Sequence, residues 1–179
     1  THSENCPNLN ALLAAETPTV TIFGKTWDLH ATEILGVSLE ENEAMIWDSI
    51  RYMKSKGKEV IYDAEHFFDG FKNNGRYAVK TIKTALAAGA DFIVLCDTNG
   101  GTMPHELSEI IEEVKTIIPP HQLGIHVHND CGLAVANSVA AARAGSPAPP
   151  VPCFTRSRSS KSPAAPIAGG PPSGWLSWA

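Results

Sequence analysis

The chain predicts an α/β fold that is part of a (β/α)8 barrel, about four consecutive βα units. Three observations point there. Strand-like and helix-like segments alternate through residues 1–145, which implies a parallel sheet. The strands are apolar runs, as expected where helices cover a buried sheet. Each strand runs into polar, potentially reactive residues: Lys25 to His30, Asp63 to His66, Asp97 to Asn99, and His126 to Asp130. Chemistry drawn from the C-terminal end of every strand is the habit of the barrel rather than of the doubly wound sheet, which fits the alternation equally well. No glycine-rich phosphate loop of either common spacing is present.

The elements follow in order. Thr19–Phe23 is β-branched and apolar and reads as a strand. Ser38 and Glu41 have capping-box spacing before a helix over Leu39–Ser55, with Met45, Ile46, Ile50 and Met53 near one face and Gly57 as its stop. Glu59–Tyr62 is a second strand, Tyr77–Ala88 a second helix closed by Gly89, and Phe92–Cys96 a strand buried on both faces. Pro104 suits the first turn of a third helix with Leu107, Ile110, Ile111 and Val114 inward, ended by Pro119-Pro120. Leu123–His128 is the fourth strand and Leu133–Arg143 the fourth helix. No strand precedes the first of these, and Thr1 to Ala15 has no assigned element.

Composition bounds the rest. A net charge of −5 gives no support for nucleic-acid binding. No apolar run approaches the roughly 20 residues of a membrane span. Four cysteines without CxxC spacing read as reduced cytoplasmic thiols, with Cys96 and Cys131 as small buried or semi-buried packers. His105 and His121 read as surface residues. After Gly145 the text changes abruptly: eight of the 13 prolines fall there, and residues 146–179 hold no Asp or Glu. That segment is expected to be a disordered or frame-shifted tail to a domain over 1–145.

The strongest local signal is His126-Val127-His128-Asn129-Asp130. Alternation on a strand points His126 and His128 the same way, so two imidazoles converge at a strand end. Neutral imidazole is the commonest ligand for transition metals, but two cannot hold one alone.

Four runs carry a family resemblance: Thr21-Ile22-Phe23-Gly24-Lys25-Thr26-Trp27-Asp28-Leu29-His30, Tyr62-Asp63-Ala64-Glu65-His66-Phe67-Phe68-Asp69-Gly70, Cys96-Asp97-Thr98-Asn99-Gly100-Gly101, and the His126 to Asn137 segment. The chain resembles the family of α-isopropylmalate, homocitrate and citramalate synthases and 3-hydroxy-3-methylglutaryl-CoA lyase. The runs at 64–70 and 97–101 look like the citramalate-synthase branch. The resemblance implies a TIM-barrel domain that condenses acetyl-CoA with a 2-oxo acid (pyruvate for that branch, toward isoleucine) and then hydrolyses the thioester. It further implies a divalent cation (Mg, Mn or Zn) with His126 and His128 as two of its ligands, and a homodimeric full-length protein. Glu65 matches a family glutamate that contacts substrate or helps proton transfer, and Thr98 a threonine that binds the oxo-acid carboxylate. Asp97 reads as a loop cap, and His30 and His66 either line the site or are ordinary loop residues. The family's Arg-Asp-Gly motif and its later asparagine ligand have no counterpart here, so weak metal binding and no activity by the chain alone are expected. The alternatives are a sister synthase, a lyase or biotin-linked decarboxylase of the same superfamily, or a non-catalytic interaction module.

Overall fold

A computed structural model describes residues 3–144 and 155–156. Its parallel strands are β1 (Thr19–Lys25), β2 (Glu59–Glu65), β3 (Phe92–Asp97), β4 (Leu123–His128) and β5 (Thr155–Arg156), hydrogen-bonded in that order. Strictly sequential order is what a barrel wall requires; a doubly wound sheet reverses direction at a switch point. The helices are α1 (Pro7–Ala14), α2 (Leu39–Ser55), α3 (Phe67–Ala88), α4 (Pro104–Val114) and α5 (Ala134–Arg143).

The expected caps are present. The Ser38 hydroxyl accepts from the Glu41 N–H, and the Met103 N–H donates to Glu106 at the start of α4, where Pro104 follows directly. Gly57 and Gly89 close α2 and α3 with φ of +75° and +103°. Leu107, Ile110, Ile111 and Val114 are all buried, as is β3 beyond its first residue. His105 and His121 are exposed. Among the described residues, no helix is long and apolar enough to cross a membrane.

Several expectations need correction. Strand β2 runs on to Glu65, and α3 starts ten residues before Tyr77, at Phe67. The cause of the second difference is a break at Asn74 (φ −143°, ψ 73°), whose side chain accepts from the Tyr77 N–H. Asn74 therefore caps the second half of α3, which is the half legible as a helix. The first half is fastened by Phe67 and Phe68, both fully buried, each worth roughly 1.5–3 kcal/mol. Residues 7–14 form an unforeseen helix that buries Leu9. Cys131 is exposed rather than packed. The expected disordered or frame-shifted tail after Gly145 lies outside the described residues, apart from a two-residue strand, Thr155–Arg156, against Val127–His128.

The sheet has two unlike faces. Val60, Tyr62, Ala64, Ile93, Leu95, Leu123 and Val127 point to the helices and are 0–1% exposed. Gly24 lets β1 approach this layer, since a Cβ there would lie 2.8 Å from the Tyr62 hydroxyl. The alternate residues, including Phe23, Lys25, Asp63, Glu65, Cys96, His126 and His128, point to what would be the barrel interior.

Candidate metal and acyl-transfer site

The interior face carries its polar groups at the C-terminal strand ends. Cys96 lies opposite His126 in the β3–β4 register, so both side chains project to the same side. The ligand atoms of Cys96, His126 and His128 all lie within 4.8 Å of one another. The His126 and His128 rings have centroids 4.9 Å apart. Burial, and then His126 beside it, lowers the pKa of His128, which favours the neutral ring that a metal needs.

His126 Nδ1 lies 2.8 Å from Asp63 Oδ2. Sequence reasoning placed Asp63 in a reactive strand-end run but missed this pairing, because Asp63 stands two strands away. In register Asp63 faces Val94, and Val94 faces Gly124, two residues short of His126. A barrel of eight strands and shear eight advances one residue per strand around each interior layer, and alternate strands share a layer. Two strands therefore give two residues, which places Asp63 and His126 side by side.

Lys25 and Glu65 are register partners on β1 and β2 and form an ion pair at 2.5 Å, with Lys25 almost wholly buried. Lys25 stood in a reactive strand-end run, but its pairing with Glu65 was not foreseen. Its signal was a lysine directly after an apolar strand, opposite a carboxylate.

Thr98 sits one layer above Cys96. Its hydroxyl accepts from the His66 N–H (2.8 Å) and donates toward Cys96 Sγ (3.1 Å). Burial pushes the Cys96 thiol far above its ordinary range. Asp97 points the other way: its carboxylate is fully buried and accepts from the N–H and hydroxyl of Thr102, in keeping with a loop cap. Burial raises its pKa, partly countered by those bonds. His30 stacks on Trp27, and the His66 ring meets His30 at a tilt, ring centroids 4.1 Å apart, at the mouth beyond Glu65. Burial first, and His66 next, lowers the pKa of His30.

The donor set suits a divalent cation. Two imidazoles and a thiol converge, with the Asp63 carboxylate set against His126 Nδ1.

The HMGL-like family model matches residues 4–148. This chain belongs to the HMGL-like family. It is 60% identical over 139 residues to the (R)-citramalate synthase of Geobacter sulfurreducens, covering 77% of this chain and 26% of that protein. The same enzyme of Aquifex aeolicus is 55% identical over 139 residues, 78% of this chain and 26% of the relative. The 2-isopropylmalate synthase of Sulfolobus acidocaldarius is less similar, at 36% over 124 residues, covering 69% and 31%. This chain therefore spans about a quarter of the length of its citramalate-synthase relatives. Among solved structures, the Bacillus subtilis HMG-CoA lyase superposes with a TM-score of 0.71 at 18% identity, over 79% of this chain and 48% of that one. An Acinetobacter baumannii HMG-CoA lyase, solved in complex with coenzyme A and 3-methylmalate, gives 0.66 at 22%, over 76% and 46%. These two share the fold: a consecutive arc of the same barrel.

Proposed function

We propose that this chain forms part of the acyl-transfer site of a citramalate synthase, which joins the methyl carbon of acetyl-CoA to the keto carbon of pyruvate and then hydrolyses the thioester. The observation that carries the reading is the convergent His126–His128 pair, backed by Asp63, in a chain 60% identical to such a synthase. The lower identity to an isopropylmalate synthase argues against that sister activity.

In this reading His126 and His128 hold a divalent cation, with Cys96 close by. When bound, such a cation polarises the keto carbonyl and stabilises the developing alkoxide. Lys25 fixes the Glu65 carboxylate at the mouth, where it contacts substrate or moves a proton. Thr98 binds the oxo-acid carboxylate by turning its hydroxyl from Cys96 Sγ toward the substrate, while the His66 N–H continues to hold its oxygen. Coenzyme A bound to a lyase of the same fold supports a CoA thioester as the second substrate. A cytoplasmic homodimer acting in isoleucine synthesis, without nucleic-acid partners, completes the reading.

A chimera tests it. The matching segment of the Geobacter sulfurreducens enzyme is replaced by this chain's 139 aligned residues, and thiol release from acetyl-CoA is followed with pyruvate or 2-oxoisovalerate. The expected outcome is turnover with pyruvate within tenfold of the parent and a preference for pyruvate over the branched acid. A folded chimera that prefers 2-oxoisovalerate, or releases no CoA, overturns the assignment.

A further inference from the structure

We infer that Asp63 is the positioning residue of the metal site: it fixes the tautomer and orientation of His126 and so determines how well the imidazole pair takes up a divalent cation. The inference rests on the metal-site reading above and adds a residue to it.

Asp63 lies within β2, with its side chain on the interior face and only 18% exposed. A carboxylate within a strand is neither a turn former nor a helix cap, and burying one is costly unless it is paired. Its Oδ2 meets His126 Nδ1 at 2.8 Å, while Oδ1 is buried with no hydrogen-bond partner among the described residues. The nearby lysine on the same face, Lys25, is paired with Glu65. Among the described residues, the hydrogen-bonding contact of the Asp63 side chain is therefore directed at His126, and its charge also faces His128 and Cys96.

The chemistry of the contact has a direction. A carboxylate only accepts, so the ring proton lies on Nδ1. The lone pair is then on Nε2, at the far edge of the ring. Without Asp63 the proton can sit on Nε2, which blocks that atom as a ligand, and the ring loses the contact that sets its orientation from β2. Partners of this kind change metal affinity by about 10–100-fold when removed.

The test uses the whole chain labelled with 15N-histidine, in zinc-free buffer, and needs no activity. Wild-type His126 is expected to show a protonated, pyrrole-type Nδ1 and a bare, pyridine-type Nε2. Zinc(II) titration, read from the His126 and His128 ring signals, is expected to give a dissociation constant about 10–100-fold weaker for Asp63→Leu, with His126 shifted toward the Nε2–H form. Asp63→Asn keeps an acceptor oxygen, so it should hold the tautomer and lose less affinity. This second variant, with matching amide spectra, separates positioning from misfolding.

An Nε2–H tautomer in the wild type, or less than threefold loss of affinity in folded Asp63→Leu, overturns the inference while leaving the metal site standing. Wild-type rings that do not respond to zinc at all overturn the metal site itself, whatever their tautomer, and with it the role given to Asp63.

Discussion

Two glycines five residues apart in α3 should respond to the same substitution with opposite signs. A Cβ at Gly70 would lie 2.6 Å from the Thr26 carbonyl oxygen and 3.0 Å from Trp27 Cα, both backbone atoms that cannot rotate away. Relieving that contact means moving α3 or the β1 exit by several tenths of an ångström. Overpacking of this kind costs about 1–3 kcal/mol, and the rigid neighbours place it toward the upper part. Alanine recovers up to about 1 kcal/mol of helix propensity. The net expectation for Gly70→Ala is a loss of about 1–2 kcal/mol. At Gly75 the nearest atoms to a Cβ are ring carbons of Phe71 at 3.9 Å, an ordinary contact. Gly75→Ala should therefore gain about 0.4–1 kcal/mol, chiefly by restricting the unfolded chain. Urea denaturation gives the free energies, and thermal melts should separate the two variants by roughly 3–12 °C, at about 2–4 °C per kcal/mol. Gly70→Ala at or above wild-type stability, or both variants moving the same way, would refute the argument. Because the strained contact is with Thr26 and Trp27, Gly70→Ala should also disturb the stacking of Trp27 on His30, visible in tryptophan fluorescence.

Three further outcomes are expected. Replacing either His126 or His128 by alanine should weaken zinc binding to the chain at least tenfold by calorimetry, and unchanged affinity in both variants would remove the imidazole pair as the site. In the chimera, Glu65→Gln should lower kcat by about 10²–10⁴-fold if Glu65 moves a proton, whereas a change confined to KM would restrict it to substrate contact. Burial pushes the Tyr77 phenol up to about 12. The folded pKa is raised, so its contribution to stability is complete below about pH 10 and is lost as pH rises through about 12, by roughly 2–3 kcal/mol in all. Urea midpoints from pH 9 to 12 should fall less steeply for Tyr77→Phe than for wild type.

What could be read from the chain, and what could not, divides along a physical line. Local rules gave the caps at Ser38 and Pro104, the stops at Gly57 and Gly89, and the paired imidazoles, because each needs only neighbours within a few residues. The first half of α3 escaped them. Gly70 depresses helix propensity there, and it is the burial of Phe67 and Phe68 against the sheet that makes the helix. The pairing of Asp63 with His126 spans 63 positions and depends on the tilt of the barrel strands, which no window of sequence contains. Thr98 was visible as a strand-end hydroxyl, but its engagement with the His66 N–H and Cys96 Sγ was not.

One corner of the mouth has a bearing on how this site tolerates change. Strand β2 ends at Glu65 and α3 begins at Phe67, so His66 alone turns the chain, in the left-handed region at φ +58°. A one-residue connection cannot absorb an insertion or swing as a lid without unpicking the strand or the helix beside it. By contrast, 13 residues separate Lys25 from Leu39, with a π-helical turn at His30–Ile34 and exposed Leu29 and Ile34. Evolutionary drift in the substrate pocket is thus channelled: beside Glu65 it proceeds by exchange of side chains on a fixed frame, and across the β1 exit by lengthening, shortening and motion of the strap. Amide exchange should mirror the same divide, slow at residues 64–68 and fast at 29–35.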